Sequence, residues 1–278
     1  MGEATEECVR RHEARRDPNT TLLGAARRGY NPPGMTHQTQ RVARGSTAHR
    51  HPWLRRLGLA FLLLIVAVFV SIILFRFVNP PITPVMVAVR LSGTPIQQHW
   101  VPLEDISPNL PLAVIASEDG QFCNHWGVDW AAVREAVNEA RKSGESRGAS
   151  TITMQTARNL YLGTHRSYVR KALEVPLAYL LTFFWTKERV MEVYLNIAQW
   201  GPGIFGAEAA SQAYFHKSAK TLTRREALLL AAALPSPRLR NPGKPSQRML
   251  SIARLVERRM PVLAKRSFCA VPKTAAAN

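Results

Sequence analysis

Acidic side chains are scarce in this chain: Asp and Glu number 19 against 37 Lys and Arg, a formal net charge of +18 over 278 residues. Such an excess calls for an anionic partner, either nucleic acid or a membrane surface. The patterns that read nucleic acid are missing. There is no zinc-ligand spacing, no basic-aromatic ribonucleoprotein pattern and no heptad repeat behind a basic region, so a membrane ranks above nucleic acid. Cysteine is nearly absent as well. Cys8, Cys123 and Cys269 share no metal or redox spacing, which leaves open only a Cys123–Cys269 disulfide, should both lie outside the cytoplasm. No internal repeat occurs, and only one apolar run approaches the length that crosses a bilayer.

That run, Leu57 to Phe75, holds 19 residues without a charge, close to the ~20 needed to cross a hydrocarbon core. Five arginines lie in the 20 residues before it (Arg41, Arg44, Arg50, Arg55, Arg56) and two in the 20 after it (Arg76, Arg90). The positive-inside rule therefore places the N-terminus in the cytoplasm and everything after Phe75 outside it. The run is far from the N-terminus and no small-residue cleavage site follows it, which favours an anchor over a removed signal peptide. The organisation expected is a disordered basic arm (1–52), an anchor (53–78), one globular domain (79–266) and a short tail (267–278). Met35 offers a second start, and the polar arm carries no defensible chemistry.

Beyond the stiff Asn79-Pro80-Pro81-Ile82-Thr83-Pro84 exit, β-branched residues suggest short strands at Val85–Leu91 and Gln97–Val101. Helices are expected over Trp130–Lys142, Thr151–Leu160 and Arg166–Trp185, the last kinked at Pro176. Thr186 caps a further one to Asn196, Thr223 opens a capping box before Ala227–Leu234, and a basic amphipathic helix runs from Gln247 to about Arg266.

Four blocks concentrate polar groups in these apolar surroundings. In Glu118-Asp119-Gly120-Gln121-Phe122-Cys123-Asn124-His125-Trp126-Gly127 the chain turns sharply where two carboxylates appear. Burial beside Phe122 and Trp126 raises the pKa of Glu118 toward the range of a general base; a solvated acidic pair at a helix end explains the same residues. In the second block Thr151, Gln155 and Arg158 share a helix face below Gly148 and Ser150, an arrangement of free amides, hydroxyl and arginine that suits a phosphate, or simply a capped surface helix. The third places Arg166, Arg170 and Glu174 at i, i+4 and i+8 with Lys171 beside them, fit to grip a pyrophosphate or to form a ladder of ion pairs. The fourth, Lys187 to Gly206, reads alone as a helix, a turn and another helix.

In order and spacing these blocks resemble the peptidoglycan glycosyltransferases of family 51, whose patterns are E-D-x-x-F-x-x-H-x-G, G-x-S-T-I-x-x-Q-x-x-K-N, R-K-x-x-E and K-x-x-I-x-E-x-Y-x-N. The match runs from about Ile82 to Leu239, and a chain with one anchor and no penicillin-binding domain resembles the family's monofunctional members. The resemblance implies a mainly α-helical, lysozyme-like glycosyltransferase domain behind a single N-terminal transmembrane helix, held in the bacterial inner membrane with the domain in the periplasm. It implies that lipid II is polymerised on a lipid-linked glycan chain. Glu118 then matches the catalytic base and Glu174 the second essential glutamate. Ser150, Gln155, Arg158, Arg166, Arg170 and Lys171 match the donor's pyrophosphate and sugar site, with Thr151 and Asn159 in the same substrate-binding motif. Asp119, Phe122 and His125 match residues that shape the catalytic loop. Arg158 stands where the family usually has lysine, and Val190 where it often has isoleucine. No cofactor is required by the resemblance; a divalent ion, Mg or Mn, is allowed at the pyrophosphate without a ligand cluster that demands it. Cell-wall synthesis or division proteins are the protein partners it suggests. A lysozyme-like lytic enzyme would share a glutamate on a helical fold but needs no paired arginines. A non-catalytic envelope scaffold would explain anchor and charge but not four embedded polar blocks.

Overall fold

The computed structural model describes residues 52–144, 148–165, 167–264 and 269–270; the arm before Pro52, Arg166 and most of the C-terminal tail lie outside them. Helix α1, Pro52–Phe75, is long and apolar enough to cross a membrane. Its 24 residues rise about 36 Å at 1.5 Å each, against a hydrocarbon core of about 30 Å. Leu57, Phe61, Leu64 and Val70 are exposed along it, an apolar surface that water would not tolerate and lipid would.

The expected strand at Val85–Leu91 is instead a helix, α2, Pro84–Leu91. Thr83 caps it by accepting from the Met86 amide at 3.3 Å, Pro84 occupies the first turn where no amide is needed, and Val85, Met86 and Val89 are buried on one face. Cap and proline outweigh the β-branched composition. Of Gln97–Val101 only β1, Gln97–Gln98, is a strand. It pairs in parallel with β3, Ile204–Phe205, which pairs antiparallel with β2, Gln199–Gly201. Gly203, at φ +71°, makes the turn between β2 and β3. A side chain there would fall 2.1 Å from the Pro95 carbonyl, so only glycine fits.

The remaining helices are α3 (Asn109–Glu118), α4 (Trp130–Ser143), α5 (Ile152–Ala157), α6 (Tyr168–Phe184), α7 (Lys187–Ile197), α8 (Ala207–Phe215), α9 (Arg224–Ala233) and α10 (Gln247–Ala264). Two groups of these build the domain. In the first, α3, α9 and α10 pack together; α9 is Leu and Ala on every side and is buried throughout its second half, as a core helix must be. In the second, α5 lies against α6 and α7. The capping box at Thr223 and Glu226 forms as expected, and Thr186 caps α7. The α5 segment leaves the α-helical path at Arg158 and continues as a π-helical turn to Leu162, a distortion frequent at functional sites. The helix α6 continues through Pro176. Cys123 and Cys269 are joined in a disulfide that ties the loop after α3 to the segment beyond α10.

Candidate active site

Glu118 ends α3, and the loop that follows is held by buried polar contacts. Asp119 leaves the helix and turns its carboxylate inward, where it accepts from the Ile152 amide at 3.0 Å and from His125 Nε2 at 2.9 Å. Phe122 is fully buried. Beneath it the Lys187 ammonium lies 4.6 Å from the ring centroid and donates to the His125 carbonyl at 2.8 Å. Burial lowers the Lys187 pKa to about 8, with Asp119 pulling it back up. The loop closes at Gly127, φ +82°, whose missing side chain would meet the Ala178 carbonyl at 2.7 Å; its own carbonyl accepts from Thr151 Oγ1 at 2.5 Å. Asp119, Phe122 and His125 thus hold the loop together from within.

Glu118 itself is half-buried at the floor of a cleft. Its Oε1 accepts from Ser117 Oγ at 3.1 Å and its Oε2 from Gln155 Nε2 at 3.0 Å, while Gln155 Oε1 accepts from the Tyr194 hydroxyl at 3.1 Å. Burial pushes the Glu118 pKa above the ordinary carboxylate value; the bonds from Gln155 and Ser117 and the charges of Arg158 and Arg240 oppose that rise. Tyr194 is wholly buried and its pKa is pushed well above 10, first by burial and then by the Glu118 charge, so its hydroxyl keeps the proton that orients Gln155. The direction for Glu118 matches the expectation, but the surroundings differ: Trp126 is 66% exposed and shields nothing.

Two cavities meet at Glu118 and Ser150, which line both. One, about 640 Å³, is walled by Gln155, Arg158, Asn159, Tyr194 and the 234–239 loop; the other, about 590 Å³, by Asp119, Gly148–Thr151, Arg258 and Arg259. A carboxylate between two basin-like clefts can serve a reacting group from each side. Gln155 and Arg158 face the first cavity together, as their spacing predicts. The free amides expected at the start of α5 are not free: Ile152 donates to Asp119 and Met154 to the Thr151 hydroxyl, so this helix end is capped by protein rather than open to a phosphate.

Arg170 and Lys171 converge on Glu174, whose side chain is 1% exposed. Arg170 Nη1 donates to Glu174 Oε1, and Lys171 Nζ donates to Oε2 at 2.8 Å and to Ser150 Oγ at 2.8 Å. Glu174 is therefore a buried anchor for two cations, the ion-pair arrangement that the spacing also allowed, and Lys171 reaches the cleft through Ser150. Sharing a buried carboxylate between two cations satisfies its lone pairs and avoids the cost of an unpaired buried charge. Arg166 lies outside the described residues.

Sequence reading missed several residues that the fold gathers. Ser117, Tyr194 and Arg240 act on Glu118, and Arg258 and Arg259 wall the second cavity. Tyr194 and Lys187 stood in a block legible as structural; Arg240 carried no local signal. The rest of that block is structural. Asn196 brackets Val101, accepting from its amide at 2.9 Å and donating to its carbonyl at 2.8 Å, and Glu192 accepts from the Leu103 amide at 3.2 Å. Among the described residues no group of three or more His, Cys, Asp or Glu is placed to hold a metal. The carboxylates of Asp119 and Glu174 are already spent on protein partners.

A family model described as transglycosylase matches residues 86–261. The relatives named biosynthetic peptidoglycan transglycosylase include three from different organisms. The chain is 48% identical to that of Rhizobium etli over 222 residues, covering 78% of this chain and 94% of the relative. It is 46% identical over 209 residues to that of Brucella suis biovar 1, covering 73% and 93%. For that of Pasteurella multocida the identity is 44% over 218 residues, covering 76% and 89%.

Proposed function

The chain belongs to the transglycosylase family and is a peptidoglycan glycosyltransferase; from that premise we propose how its residues polymerise lipid II. The observation that carries the reading is Glu118, a half-buried carboxylate of raised pKa where two cavities meet. The growing lipid-linked glycan is the donor and occupies the cavity of Gln155, Arg158 and Asn159; lipid II is the acceptor and occupies that of Arg258 and Arg259. Glu118 takes the proton from the acceptor GlcNAc 4-hydroxyl as its oxygen attacks the donor MurNAc anomeric carbon. The bond from that carbon to the pyrophosphate oxygen breaks on the opposite face, its electron pair leaving with undecaprenyl pyrophosphate. The α-linked donor thereby becomes a β-1,4 bond.

Negative charge grows on the departing pyrophosphate, so cations fixed in advance beside it lower the barrier. Arg158 supplies one directly, and Lys171 another by way of Ser150, with Glu174 positioning Lys171 and Arg170. The anchor α1 crosses the inner membrane with the N-terminus in the cytoplasm and holds the domain at the periplasmic face, a reading supported by the arginine counts and by a lipid-borne substrate. The test is Glu118→Gln, which keeps size and hydrogen bonding but accepts no proton. Polymer formation from lipid II should fall by ~10²–10⁴ while lipid II binding survives. Near-wild-type polymerisation by a folded variant would show that Glu118 is not the base.

A further inference from the structure

Arg189 of α7 is turned away from the cleft, toward the end of α1. Its guanidinium donates to the Phe75 carbonyl from Nε (3.0 Å) and Nη2 (2.9 Å), to the Val78 carbonyl from Nη2 (2.9 Å) and to Asn79 Oδ1 from Nη1 (3.0 Å). Glu192 accepts from Nη1 at 2.5 Å, and the guanidinium lies 5.5 Å from the Trp100 ring centroid. One helical turn earlier, Trp185 Nε1 donates to the Ile72 carbonyl at 2.7 Å, and Phe184 meets Phe69 edge to face at 5.4 Å. The last turn of a helix leaves carbonyls without intrahelical partners, and its negative dipole end favours a cation. Here the catalytic domain supplies both needs. A planar fork is required, because one side chain serves two carbonyls, an amide oxygen and a carboxylate at once.

We infer that Arg189 and Trp185 form a clamp that converts the membrane anchor from a tether into a rigid mount, fixing the tilt and height of the cleft over the bilayer. The inference rests on the proposal that α1 crosses the membrane and that the substrate is lipid-borne. A tether of free residues from Arg76 to Thr83 would let the domain rock, and the reacting sugars, whose lipid tails are themselves held in the bilayer, would meet Glu118 in fewer productive orientations. Arg189 and Trp185 touch no reacting atom. They are positioning residues, and their effect should depend on where the substrate is held.

The experiment uses the full chain in two formats: reconstituted into liposomes carrying full-length lipid II, and in detergent with a short-chain, water-dispersible lipid II. Wild type must form polymer in both, which tests the catalytic proposal separately from the clamp. Arg189→Ala should lower turnover about tenfold or more in liposomes, the scale of a misorientation penalty, and stay within a few-fold of wild type in detergent. Arg189→Lys keeps the charge but not the fork and should recover only part of the loss. Trp185→Phe keeps an aromatic ring, drops the bond to Ile72 and should show the same format-dependent loss; it carries the test if Arg189→Ala does not fold. Equal losses in both formats, or wild-type turnover in liposomes, would overturn the clamp.

Discussion

Gln155→Leu keeps a side chain of similar size beside Glu118 and removes one of the two hydrogen bonds its carboxylate accepts, leaving that from Ser117. A hydrogen bond to a charged group contributes about 1.5–3 kcal/mol. Its loss should raise the already elevated Glu118 pKa further, opposed by whatever water enters from the cleft. The sign is set by the role of the group. A general base works when ionised, so activity rises with pH through its pKa, and a raised pKa moves that acid limb to higher pH. Turnover at neutral pH should drop and partly recover on the alkaline side. The assay is lipid II polymerisation, with kcat/KM followed across pH in detergent. Tyr194→Phe removes only the neutral bond that orients Gln155, about 0.5–1.5 kcal/mol, and should move the limb the same way by less than Gln155→Leu does. An acid limb unmoved in both variants, with Glu118→Gln still abolishing it, would refute the claim that Gln155 stabilises the ionised base.

Arg158→Lys should retain substantial polymerisation, since it keeps the cation facing the first cavity, whereas Arg158→Ala should weaken donor use by about 1.5–3 kcal/mol in kcat/KM; equal, negligible effects would make Arg158 a surface charge. The Cys123–Cys269 bond closes a loop across 146 residues. Replacing both cysteines by alanine should cost about 2–4 kcal/mol in guanidinium unfolding, and an unchanged midpoint would show that the loop after α3 and the segment beyond α10 are held without it.

The sequence alone was enough wherever the physics is local. An uncharged run of bilayer length, capping residues such as Thr186 and Thr223, and the order of four polar blocks need no tertiary information, and each led to an element or a site the structure contains. The pairing of Gln155 with Arg158 on one face follows from helical periodicity, which is local too. Local propensity failed at Val85–Leu91, where β-branched composition was overruled by a capped, proline-started turn burying Val85, Met86 and Val89. It also failed at Thr151, whose hydroxyl and helix end are consumed by Gly127 and Asp119 from a distant loop. At Glu174 the ion pairs with Arg170 and Lys171 lie within one helix and were legible as a ladder; only packing reveals that the carboxylate is enclosed. Whether Cys123 meets Cys269, whether Tyr194 reaches Gln155, and whether Arg189 grips the end of α1 are distances across the fold. Such distances depend on how α3, α7 and α10 pack, and a linear pattern of residues, which encodes faces but not neighbours, does not contain them.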